Sequence, residues 1–172
     1  MNLQSSDFEL FGVPERFAQD RAALDARWKE LQREAHPDRF ASQGAAAQRV
    51  AMQWSVRINE AYQRLKDPLR RAAYLCERQG ARIEAENNTA MPPAFLMQQM
   101  EWRESLDDAA GATALEALAD DVQRVRRETF DALSRALDEE RDFAGAVAHV
   151  RALMFIERFA SDVETRLERL GQ

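Results

Sequence analysis

The chain has 172 residues, 45% of them hydrophobic and 31% charged, a balance that supports a core and fits a soluble, folded protein rather than a disordered one. The net charge of −6 argues against nucleic acid as the main partner, which ordinarily needs a basic face. One cysteine, Cys76, excludes an internal disulfide, and with only His36 and His149 beside it no closed zinc site can be built.

The amino-terminal Met1–Asp7 has neither the basic start and apolar run of a secretory signal nor the basic character of a transit peptide. No apolar run approaches membrane-spanning length, so a cytoplasmic chain without membrane contact is expected. Glycine and proline fall mostly between periodic segments, and nothing alternates with period two. The predicted fold class is all-α.

Asp7 is predicted to cap a short helix carrying Phe8, Leu10 and Phe11 and closed by Gly12. Asp20 opens the next helix, which runs to about Ala35. Its Leu24, Trp28, Leu31 and Ala35 recur at spacings of four, three and four, a buried stripe. At about 100° per residue, Lys29 and Arg33 fall roughly opposite, either a solvated face or a cationic surface ahead of His36. Pro37 lacks an amide hydrogen and disfavours helix at the residue before it, so the helix stops near His36. His36, Pro37 and Asp38 then stand on a turn. The helix after it, from about Gly44 to Lys66, is expected to point Ala47, Val50, Trp54, Ile58, Ala61 and Leu65 inward and to pack antiparallel to the first. Asp67-Pro68 marks a break and restart, followed by a short helix ending by Gly80.

Residues 80–93, with paired asparagines and paired prolines, read as a linker between domains over 1–79 and 94–172. Three helices follow, over about Ala94–Asp108, Ala114–Asp138 and Arg141–Leu170. The second carries Leu115, Leu118, Val122, Val125, Thr129, Leu133 and Ala136 on one stripe; the third carries Leu153, Ile156, Ala160, Val163, Leu167 and Leu170. An antiparallel three-helix bundle satisfies all three. Two details exceed packing needs. Met97, Glu101, Glu104 and Asp108 share one face of the first helix, with Leu96 and Met100 beside them, and methionine adapts its shape to a partner. Phe155 points about a third of a turn away from the third helix's stripe. A solvated face or a wide core stripe would also account for either.

Catalysis finds little support. Cys76 sits within a helical pattern and reads as a small buried residue. No phosphate-binding or dinucleotide fingerprint occurs, and no cofactor or metal is expected. A His36–Asp38 acid–base pair is conceivable, but two side chains flanking a proline on a surface turn lack an evident pocket. Recognition is the better reading, and the chain is not expected to be an enzyme.

The Asp7-Phe8-Glu9-Leu10-Phe11-Gly12 opening, the His36-Pro37-Asp38 turn, Ile58-Asn59-Glu60-Ala61-Tyr62, and Asp67-Pro68 followed by Arg70, Arg71 and Tyr74 together resemble a J-domain. Phe95-Leu96-Met97-Gln98-Gln99-Met100-Glu101-Trp102-Arg103-Glu104 resembles the carboxy-terminal domain of HscB-type co-chaperones, so the resemblance covers nearly the whole chain. It implies a co-chaperone that docks on a DnaK-class chaperone, HscA, stimulates its ATPase and delivers the IscU scaffold of iron–sulfur cluster assembly. It also implies that His36, Pro37 and Asp38 form the stimulatory turn, with Lys29, Arg33 and Arg39 as the cationic docking surface. By the same resemblance Leu96, Met97, Met100, Glu101, Glu104, Asp108 and Phe155 form the scaffold-binding face. A Gly/Phe-rich stretch, repeated Cys-x-x-Cys motifs and the amino-terminal cysteine pairs of mitochondrial relatives are absent, which points to a bacterial, specialised form. Arg39 stands where lysine is commoner, keeping the charge but altering its geometry. The alternatives left open are a J-domain adaptor for another client, an enzyme using His36 and Asp38, and a helical protein with no chaperone link.

Overall fold

Ser6, not Asp7, opens the first helix in the computed structural model, which describes residues 2–84 and 91–171. The Ser6 hydroxyl accepts from the Glu9 amide, capping α1 (Asp7–Phe11), and Gly12 closes it at φ 64°, a left-handed conformation that glycine adopts without steric cost. Asp7 is instead fully buried. Arg64 grips its carboxylate at 2.6 and 2.9 Å, Arg57 reaches it at 2.8 Å, and its amide donates to the Tyr74 hydroxyl. A carboxylate held by two guanidiniums drawn in from far along the chain is not free to cap the helix it begins.

The remaining helices are α2 (Arg21–Ala35), α3 (Ala45–Lys66), α4 (Pro68–Arg78), α5 (Pro93–Asp108), α6 (Ala112–Ser134) and α7 (Phe143–Leu170). A 3-10 segment covers Pro37–Gln43, and α6 ends in a wide turn over Arg135–Glu139. No strand occurs among the described residues, in keeping with the all-α expectation. Contacts divide the chain into two compact units, Met1–Leu75 and Cys76–Gln172. The boundary expected after residue 79 lies shortly beyond this division, and residues 85–90 of the expected linker lie outside the described residues. Ile83, also in that stretch, is buried and its carbonyl accepts from Arg151 at 2.7 Å.

In the first unit, α2 and α3 form an antiparallel hairpin. Asp20 caps α2 through the Ala22 and Ala23 amides, as expected. Leu24, Leu31, Ile58, Ala61 and Leu65 are buried between the helices and α1. Polar staples set the register. Asn59 Oδ1 accepts from Trp28 Nε1 and Gln32 Nε2, both at 2.9 Å, Ser55 Oγ donates to Gln32 Oε1, and the Tyr62 hydroxyl donates to Asp25 at 2.6 Å. Val50 departs from its expected inward position. It is 51% exposed, because α2 ends at Ala35 and leaves the first turns of α3 uncovered. Val50 and Trp54 line an open groove of about 560 Å³ with Leu31, Ala35, Phe40 and Ala47.

In the second unit, α6 and α7 pack along Leu115, Leu118, Val122 and Leu133 on one side and Val150, Leu153, Ile156 and Val163 on the other, all buried. Thr129 sits half-buried on this stripe because its hydroxyl donates to the Val125 carbonyl. Leu170, expected to be inward, is 54% exposed, since it is the last residue of α7 and nothing described covers that end of the stripe.

Candidate functional site

Two surfaces carry the residues singled out from sequence, one in each unit. In the first unit, His36 leaves the helical region at ψ 129°, as a residue before proline should, and its side chain caps the 3-10 segment. His36 Nδ1 accepts from the Asp38 amide at 3.2 Å, which puts the neutral ring's proton on Nε2. The Asp38 carboxylate is 3.7 Å from Nδ1, beyond hydrogen-bond reach, and its side chain is 93% exposed. This is not the geometry of an acid–base dyad. Glu34, Ala35 and Phe40 line the neighbouring groove; His36 and Asp38 do not. Lys29, Arg33 and Arg39 are exposed, and Arg39 folds back to donate to the Arg33 carbonyl at 3.4 Å. A rigid polar turn thus projects beside a cationic helix face.

In the second unit, α5 exposes Leu96, Met97 and Met100, the last two at 62% and 71%. Met97, Met100, Glu101, Glu104 and Phe155 line one groove of about 500 Å³ between α5 and α7. Leu96 and Asp108 are not among them. Asp108 belongs to a second groove, between α5 and α6, which Glu101 and Glu104 also border. The acidic row is therefore a ridge with a hollow on either flank. Phe155 is half-buried, and its ring meets Phe95 edge-on at 5.8 Å and Phe159 nearly parallel at 5.8 Å. Trp102, buried against Phe159, donates to Asp121 at 2.9 Å, and this bond, with Arg124 second, holds the Asp121 carboxyl below the usual range.

Sequence reasoning missed Gln99, Arg103 and Asp107, which complete the lining of the α5–α7 groove. Their signal was present in part: Gln99, Arg103 and Asp107 recur at spacings of four alongside the acidic row. What could not be read was which neighbouring helix that side of α5 would face.

Cys76 is buried, its thiol donating weakly to the Phe143 carbonyl, and burial pushes it up to about 11, so it is protonated and unreactive at neutral pH. Among the described residues no group of three or more His, Cys, Asp or Glu is arranged to hold a metal ion. Nor is any helix there long and apolar enough to cross a membrane.

A family model described as the HSCB C-terminal oligomerisation domain matches residues 91–164. The chain is 54% identical over 173 residues to a co-chaperone protein HscB homolog of Burkholderia multivorans, spanning 99% of this chain and 98% of that protein. It is 53% identical to the corresponding homolog of Paraburkholderia xenovorans, spanning 98% of each. Chaperone HscB from Vibrio cholerae superposes with a TM-score of 0.83 at 36% identity, covering 96% of this chain and 99% of that one. Human co-chaperone protein HscB superposes with a TM-score of 0.90 at 26% identity, covering 96% and 84%.

Proposed function

The chain belongs to the HscB co-chaperone family, and from that premise we propose that its two surfaces serve two partners. The first surface, His36, Pro37 and Asp38 with Lys29, Arg33 and Arg39, docks on a DnaK-class chaperone of the HscA type and stimulates its ATPase. The second, Leu96, Met97, Met100, Glu101, Glu104, Asp108 and Phe155, holds an IscU-type iron–sulfur scaffold. The chain makes and breaks no bond itself. Its cationic face steers it toward an acidic chaperone surface, and the turn then presents fixed polar groups to the chaperone. Holding the scaffold on the same chain raises the scaffold's effective concentration at the chaperone, without requiring either affinity to be high.

The observation that carries this reading is the exposure of Leu96, Met97 and Met100 on α5, with the two methionines lining one groove with Phe155. A bundle built only to fold would turn those side chains inward, and an apolar hollow edged by carboxylates is the form of a partner site. Steady-state ATPase of the chaperone, with and without this protein and the scaffold, tests it. Stimulation by this protein alone, and a further rise with scaffold, is expected. Stimulation alone, with no scaffold recovered in a pull-down, would instead favour an adaptor for another client.

A further inference from the structure

Arg103 is not among the residues expected to touch a partner, yet it crosses from α5 to α7 and lines the groove between them. Its guanidinium carbon lies 5.4 Å from the Phe159 ring centroid and 5.8 Å from that of Phe155. The two rings are inclined by 18° with centroids 5.8 Å apart, so one planar cation covers both. Asp162, one turn beyond Phe159 on α7, accepts from Arg103 Nη1 at 3.3 Å, a half-exposed pair beside the two rings. Glu101, Glu104 and Asp107 make no salt bridge among the described residues, whereas Arg103 is already occupied within the bundle.

The two phenylalanines are not equally constrained. Phe159 is fully buried and stacked on Trp102 at 5.4 Å, so its ring is fixed whatever Arg103 does. Phe155 lines the groove, half-buried, with Phe95 against its edge and Trp102 farther off at 6.4 Å. Arg103 is the contact that ties it to the fixed ring from the groove side. We propose that Arg103 is a positioning residue for partner binding, clamping Phe155 against Phe159 so that the groove between α5 and α7 exists before the partner arrives. The inference rests on the reading of that groove as the scaffold site. Its advantage is preorganisation: an aromatic side chain already held in place loses little freedom on binding.

A double-mutant cycle with the full chain, read by calorimetry against apo IscU-type scaffold protein, tests the proposal. Arg103→Ala is expected to weaken binding about two- to fivefold, and to add nothing once Phe155→Ala is present. Arg103→Lys should be as weak as Arg103→Ala, because a point charge cannot cover two rings. Should Arg103→Ala fail to fold by circular dichroism, Asp162→Asn loosens the guanidinium without touching the rings, and should give a smaller loss that likewise disappears in the Phe155→Ala background. Full affinity of the folded variant, an equal loss with and without Phe155, or rescue by lysine would overturn it. If Phe155→Ala weakens binding while Arg103→Ala does not, only the clamp fails. If the scaffold binds but neither Leu96→Ala nor Phe155→Ala matters, the groove reading itself falls, and the clamp with it.

Discussion

Between Ala35 and Phe40 the molecule displays a few polar groups on stiff backbone, whereas between Phe95 and Asp108 it displays apolar area edged by carboxylates. The turn has little surface to bury. Pro37 and the hydrogen bond from the Asp38 amide to His36 Nδ1 fix the backbone and the imidazole, while the Asp38 carboxylate extends into solvent. The α5 face has area, two flanking hollows and an aromatic floor. A polar display concentrates its effect in single atoms, while an apolar face spreads it over several side chains around one anchor. The units beneath differ in the same sense: both have apolar cores, but among the described residues the buried charged side chains, Asp7 and Arg71, lie in the first.

This contrast can be broken most decisively at the turn. His36→Gln should abolish ATPase stimulation while leaving helicity by circular dichroism and scaffold affinity by calorimetry unchanged. Full stimulation by that variant would reduce the motif to a connector.

Next in size is the polar stitching of the first unit. Asp7→Ala leaves Arg57 and Arg64 without their shared counter-charge and should destabilise the fold by about 3–5 kcal/mol in urea unfolding. A loss under about 1 kcal/mol would mean that the arginines re-pair with solvent or backbone, and that the first unit does not depend on buried charge.

On the α5 face, Leu96→Ala combined with Phe155→Ala should weaken scaffold binding by about ten- to hundredfold, without altering stimulation measured with the chaperone alone. If stimulation fell equally, the two surfaces would not be separable.

The smallest effect concerns His149, half-buried on α7 and outside the lining of both α5 grooves. Burial holds it below the ordinary histidine value of 6.5, with Arg135 adding to the shift. The unfolded chain therefore takes up the proton first, so this contribution to stability is intact above pH 6.5 and is lost as the pH falls from there toward the folded value. His149→Gln should flatten that part of the pH dependence of thermal unfolding and leave scaffold affinity as it was. An unchanged slope would show that His149 is solvated in the folded chain.

Much of this was legible in the chain itself. Asp20 opening α2, Pro37 stopping it and Pro68 restarting the helix after Asp67 are local steric and hydrogen-bonding consequences, each decided within a few residues. The stripes through Leu24 and Leu31, through Leu115 and Val122, and through Leu153 and Ile156 follow from helical period alone. The turn and the exposed row on α5 could be picked out for the same reason: each is carried by neighbours in sequence.

Only the folded chain decided the rest. Whether Ser6 or Asp7 capped α1 depended on Arg57 and Arg64, more than 40 residues away, claiming the carboxylate. Val50 followed the buried period and is exposed because the facing helix had already ended. Arg103 reads as one more solvated charge until α7 brings Phe155, Phe159 and Asp162 beneath it. Helix limits and faces are set by forces that act within a turn or two. Which face meets which, and so which charges are buried and which rings are held, is settled by contacts between segments that are distant in the chain and share no local signal.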